Sequence, residues 1–212
     1  MWLHTLMPDT PAPERHPADS PYHRRLPIGQ RLDASAVDGG PVPSIESMTM
    51  LPLDEMLVPE LPRRGELDPG ECGTCRVTEH TLWADEDWQV KSGFDETGLP
   101  FIGAIAPRAH VLLEDAPVEL LAGLGPLMQR ISEAVKLVPG VARCHFGRWN
   151  DGSAHLHLWA LARPAGMMQG RGAMLAFWDE VLPPLEPELA ETNNRIVAEA
   201  LAAGGGRAFP AR

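Results

Sequence analysis

His155-Leu156-His157-Leu158-Trp159-Ala160-Leu161-Ala162-Arg163 follows the turn Asn150-Asp151-Gly152-Ser153, and the two together organise the reading of this chain. The nonamer, with Ala154 before it, reads as an extended strand over Ala154–Arg163. In a strand, alternate side chains share a face, about 6.5–7 Å apart. His155, His157 and Trp159 are therefore expected on one face, with Leu156, Leu158 and Ala160 turned into a core. The Asn-Asp-Gly turn is a hairpin signal, so a partner strand is expected before it, near Val141–Trp149.

Working outward, three short strands are predicted upstream: Thr81–Ala84, Trp88–Lys91 and Phe101–Ala106. They are separated by acidic residues and then by the glycine- and proline-containing Ser92–Pro100. Apolar residues recur at helical spacing from Leu120 through Val138, behind a start signal at Asp115 and Pro117. Gly125-Pro126 falls inside this run, and a kink or a break into two helices is expected there. Pro139-Gly140 ends it. Downstream, 173–182 and 186–203 read as two helices, and the tail GGGRAFPAR reads as frayed. Hairpin-paired strands with one long inserted helix predict an α+β domain on an antiparallel sheet.

Residues 1–46 read as a proline-rich arm, disordered or extended across the domain or a partner subunit. Half of the 22 prolines precede residue 66. Residues 47–58 predict an edge strand, where Pro52 is tolerated. The expected division is an arm over 1–46 and a domain over 47–212, with a motif core at 72–165 and C-terminal helices within 173–203.

Cys72-x-x-Cys75 lies in a glycine-containing turn that lets two thiolates converge on one tetrahedral ion. Reduced structural cysteines and a redox pair are the alternatives. Zinc needs further ligands, and His110 and His155 complete a closed two-cysteine, two-histidine set. His80 competes because it is close to Cys75. His157, held above a turn rich in hydrogen-bonding groups, is a candidate nucleophile toward phosphorus; a hydrogen-bonded core histidine is the plainer alternative. Trp83, Trp88, Trp149 and Trp178 read as core, or as stacking surfaces for a base.

The ordered set Pro107-Arg108-Ala109-His110, Asn150-Asp151-Gly152 and His155-Leu-His157-Leu-Trp159-Ala-Leu-Ala-Arg163 resembles the histidine-triad superfamily. The resemblance covers residues 72 to about 165 and implies a HIT-like fold. The family's nucleophile, the middle histidine, falls on His157. The ligand pattern of its zinc-bearing members, such as those similar to galactose-1-phosphate uridylyltransferase, falls on Cys72, Cys75, His110 and His155, with zinc in a structural role. Asn150, Ser153, Trp159 and Arg163 are the implied substrate and phosphate contacts, and Arg148 adds charge if its strand faces the site. The implied activity is a nucleotide-phosphate hydrolase or nucleotidyltransferase working through a nucleotidyl-histidine. The third triad position is Trp159, which donates one N–H and shuttles no proton. That departure keeps open altered chemistry, or a nucleotide- or small-molecule-binding protein.

The formal charge of -11 argues against a non-specific grip on nucleic acid or an anionic membrane, though not against a small phosphorylated ligand. No apolar run reaches the roughly 18 residues of a membrane span, and the N-terminus carries no continuous apolar signal core. Three cysteines fit a reducing compartment, so a cytoplasmic protein is expected. The resemblance also allows a homodimer.

Overall fold

Trp88–Ser92 and Ile102–Pro107 pair residue for residue, Trp88 opposite Pro107 and Ser92 opposite Gly103, and the remaining strands assemble on this ladder. The structure is a computed structural model that describes residues 61–75, 80–93, 96–167 and 170–209, with four short strands nearer the N-terminus. Its contacts divide the chain into two units, Met1–Pro62 and Arg63–Arg212.

In the first unit, β1 (Arg15–His16) pairs with β4 (Met56–Leu57), and β2 (Arg31–Asp33) pairs with β3 (Ser47–Thr49), both antiparallel. Residues 47–58, expected as one edge strand, thus supply two strands to separate pairs. Pro52, which has no N–H for a ladder, lies between them. The rest of the expected arm over 1–46 lies outside the described residues.

The second unit is an α+β domain on one open antiparallel sheet. Its strands are β5 (Thr81–Ala84), β6 (Trp88–Ser92), β7 (Ile102–Pro107), β8 (Val141–Gly147), β9 (Leu158–Pro164) and β10 (Arg207–Ala208). Their order across the sheet is β10-β5-β6-β7-β9-β8. Helix α1 (Val118–Val135) is inserted between β7 and β8, and α2 (Met174–Val181) and α3 (Pro187–Ala203) follow β9. Among the described residues, no helix is long and apolar enough to cross a membrane.

Alternation along β9 sorts its side chains between two cores. Leu156, Ala160 and Ala162 join Val90, Ile105, Leu127, Ile131 and Val197 in the larger core, beneath α1 and α3. Trp159 and Leu161 join Leu99, Leu175 and Leu182 on the α2 side. Asn193 of α3 is buried, and its amide donates to the Pro100 carbonyl at 2.8 Å, fixing α3 to the loop before β7.

Three expectations are corrected. Of the kink or break expected at Gly125-Pro126, the break does not occur, since helix α1 runs continuously through both residues. Pro126 deprives the Ala122 carbonyl of its helical donor, but both residues are on the exposed side, while Leu127, Ile131, Ala134 and Val135 face the core. The strand predicted from Ala154 begins only at Leu158. Its ladder with β7 pairs Leu158 with Ile105 and would next reach Ala106 and Pro107, where proline has no N–H to give.

The tail, expected to fray, forms β10 instead, with Arg207 opposite Ala84 and Ala208 opposite Trp83. The Trp83 indole N–H donates to the Gly205 carbonyl at 2.9 Å, and the Arg130 guanidinium lies 5.1 Å from the Trp83 ring centre. Gly206 has φ +81, and a Cβ there would come within 2.6 Å of the buried Trp83 ring. Gly206→Ala is therefore expected to cost about 1–3 kcal/mol, read as a lower urea midpoint with an unchanged slope.

Candidate functional site

A tight turn places the two thiols. Asp68 caps the short 3-10 turn Pro69–Glu71 by accepting from the Gly70 N–H at 2.8 Å, and the Cys72 N–H donates to Pro69. The Cys75 N–H then donates to the Cys72 carbonyl at 3.3 Å, which folds both sulfurs to one side. Gly65 backs this turn at φ +83, and a Cβ there would lie 2.9 Å from the Cys72 Cβ. Only glycine combines that conformation with so close an approach.

The floor of the turn is polar and buried. From β6, the Lys91 ammonium donates to the Gly73 carbonyl at 2.9 Å, and the Gln89 amide donates to Thr74 at 2.6 Å. Both residues are buried in the sheet, 0% and 1% exposed. Sequence reasoning overlooked them. The available signal was two long polar side chains interrupting an apolar strand, which burial permits only where partners exist.

His110 follows β7, and His155 precedes β9. The Cys75 sulfur lies 3.3 Å from Nδ1 of each imidazole, and the Cys72 sulfur lies 3.4 Å from Nδ1 of His155. All four ligand atoms fall within 4.8 Å of one another. A tetrahedral zinc ion spaces such atoms about 3.3–3.8 Å apart, given bonds of about 2.3 Å to sulfur and 2.0 Å to nitrogen. His80, the competitor, is not part of this group.

The tautomer of His155 also fits a metal. Its Nε2 donates to the Pro107 carbonyl at 2.9 Å, which leaves the Nδ1 lone pair facing the sulfurs. Burial holds this ring neutral, with a pKa pushed down to about 4. Burial works against both thiolates as well. For Cys72 it is outweighed by hydrogen bonds from Cys75 and Thr74, which bring the thiol down. The Cys75 thiol, buried and next to the Cys72 sulfur, is pushed up to about 12. The pair carries one negative charge readily and a second only against a cation. Two cysteines and two histidines that close all four positions suit a structural zinc ion.

The backbone around His155 zips onto the ligand-bearing loops. Ala154 donates to Arg64 at 3.0 Å, and Leu156 donates to Val111 at 2.7 Å, next to His110. Ser153 forms a parallel bridge with Arg64. His157 emerges from this segment half-buried, and its Nδ1 lies 2.7 Å from the His155 carbonyl. A carbonyl only accepts, so Nδ1 carries the proton and Nε2 keeps the lone pair.

Among the other expected contacts, the Trp159 ring stands edge-on to His157, with centroids 6.3 Å apart. Asn150 holds the turn at φ 66, accepts from Arg63 through its carbonyl at 3.4 Å, and buries its Oδ1 without a hydrogen-bond partner among the described residues. Arg163 is not beside His157. It lies six residues on, about 20 Å along the strand, and donates to the Met167 carbonyl at 3.2 Å. Arg148 follows β8, 4.0 Å from Glu114. Trp83 and Trp88 are core as expected, whereas Trp149 is 50% exposed, its ring folded over Gly147, where a Cβ would meet it at 2.6 Å.

No family model matches the sequence, and no curated protein matches it. Several solved structures are similar to it. A zinc-bound histidine triad family protein from Mycobacterium smegmatis is 20% identical with a TM-score of 0.45, over 64% of this chain and 88% of that one. A hypothetical histidine triad nucleotide-binding protein from Sulfolobus tokodaii strain7 is 17% identical with a TM-score of 0.47, over 62% and 93%. A uridylyltransferase is 23% identical with a TM-score of 0.44, over 69% of this chain and 54% of that one.

The donor set predicts about one zinc per chain in protein purified without chelator. Cys75→Ala is expected to lose it, to below roughly a tenth of an equivalent by plasma mass spectrometry. Its unfolding midpoint should then match that of chelator-treated wild type, because the same staple is missing from both.

Proposed function

We propose that the chain is a histidine-triad-type enzyme, a nucleotide-phosphate hydrolase or nucleotidyltransferase in which His157 attacks phosphorus. The observation that supports this best is the 2.7 Å contact between Nδ1 of His157 and the His155 carbonyl. It fixes the tautomer in which Nε2 is the nucleophile, two residues from a ring held among thiols.

In the reaction, Nε2 approaches the α-phosphorus in line with the leaving oxygen. The N–P bond forms as the P–O bond breaks, and Nδ1–H, still donating to His155, shares the positive charge that develops on the ring. Water or a second phosphate acceptor then attacks phosphorus, the N–P bond breaks, and a neutral imidazole is restored. Asn150, Ser153 and the Trp159 N–H are the phosphate contacts of this reading, and the turn before His155 brings the first two to the end of β8 and β9. Zinc, when bound at Cys72, Cys75, His110 and His155, supplies no step of the reaction and holds the segment that carries His157. Small phosphorylated nucleotides as ligands, a cytoplasmic location and a homodimer belong to the same reading.

A second reading has a specific observation behind it. Trp159 packs with Leu99, Leu161 and Leu175, so the third triad position serves the core as well as the site. A pocket that binds nucleotides without breaking them accommodates this.

Mixing wild type and His157→Gly with radiolabelled nucleotide esters separates the readings. The enzyme reading expects a protein adduct in the wild type alone, stable in base and lost in acid. Equal adduct in both proteins removes His157 from the role. Absence of adduct and turnover, with a thermal shift by nucleoside monophosphates retained, favours the binding protein.

A further inference from the structure

Outside the cysteine and histidine group, a cavity of about 930 Å³ opens between β8, β9 and the start of α2. Arg143, Arg148, Arg163 and Arg171 line it, with His145 between them and Trp149 at one end. None of the described residues lining it is acidic, in a chain with 29 acidic and 18 basic side chains. Arg143, Arg163 and Arg171 bring like charges to one hollow, while Arg148 has Glu114 4.0 Å away, and an anion placed among the three relieves their repulsion.

Two further features give the same sign. Helix α2 opens onto the cavity through Gly172, Ala173, Leu175 and Ala176, with no side-chain cap and no acidic residue in its first turn. The Leu175 N–H donates to the Gly172 carbonyl at 3.4 Å, and the dipole of this uncapped helix start adds positive potential. Nε and Nη2 of Arg148 are buried and find no hydrogen-bond acceptor among the described residues, since 4.0 Å to Glu114 is too long for one. His145 is less basic than an ordinary histidine, through burial and then through the Arg163 charge.

We propose that this arginine cleft binds a second phosphate-class group, the distal anionic part of an elongated substrate. That the substrate's reactive end meets His157 rests on the function proposed above. The sheet register sets the reach. Trp149, two residues beyond the Gly147–Trp159 pair, stands at the His157 end, and Arg143 opposite Arg163 marks the far end. Along the strand, the lining residues Leu161 and Arg163 lie about 13 Å and about 20 Å from His157. A nucleoside monophosphate does not span that distance; an ester whose second phosphate is held away from the reactive one by a spacer of that length does. The guanidinium fork matches phosphate oxygens in pairs.

Tripolyphosphate, titrated calorimetrically at low ionic strength, probes the cleft without requiring any reaction. Arg143 and Arg171 are exposed, so replacing them takes no packing from the core. Arg143→Ala and Arg171→Ala are each expected to weaken tripolyphosphate binding about tenfold, as the loss of one charge-assisted contact does. Lysine at either position should restore part of the affinity, and His157→Gly should bind as wild type does. Failure of wild type to bind, or wild-type affinity in the Arg143→Ala/Arg171→Ala double variant, overturns the proposal. Loss of binding in His157→Gly with the double variant unaffected also overturns it, by placing the anion at the histidine. Normal cleft binding without a nucleotidyl adduct upholds the cleft and removes only the His157 chemistry.

Discussion

Three chain segments separated by 35 and 45 residues converge on the thiols of Cys72 and Cys75, and this convergence constrains most of the domain. Closing such loops is unfavourable in entropy, and the cost rises only slowly with length, so one strong ligand set can offset both closures. Without a cation the pair resists its second negative charge, because burial and the neighbouring sulfur push Cys75 up to about 12. The turn before the sheet, the end of β7 and the approach to β9 are thus held by a centre that none of them could close alone.

The sheet accepts this centre because β6 is built for it. Its Gln89 and Lys91 are almost completely buried among apolar neighbours, as is Thr81 of the adjoining β5. Gln89 and Lys91 direct their donors at the carbonyls of Thr74 and Gly73 rather than leaving them unmatched. A positive charge beneath two thiolates also moderates the local negative potential. The strand therefore serves both as a rung of the sheet and as the support of the turn.

Much of this was legible in the residues. Strands β5 to β7, the long helix and the two C-terminal helices follow from periodicity and from proline and glycine punctuation. The ligand set was assembled from chemistry and from the order of its motifs. The misreadings share a cause: backbone partners set by tertiary contacts. Nothing local in Ala154-His155-Leu156-His157 reveals that its N–H groups go to Arg64 and Val111 instead of β7. Nothing local in Gly204-Gly205-Gly206 reveals a buried indole donating to Gly205. Gly125-Pro126 looks like a break until its exposed side is known. The arginine cleft was invisible for the same reason, since Arg143 and Arg171 come to line one hollow only through the fold.

His155 has one further consequence, because it works at both ends. Its ring belongs to the metal centre, while its main-chain oxygen selects which nitrogen of His157 stays unprotonated. Rotating the residue to follow a departing ion would swing that oxygen with it. A single residue thereby joins the ring geometry of His157 to the cysteine and histidine group, two places that share no direct contact of their own.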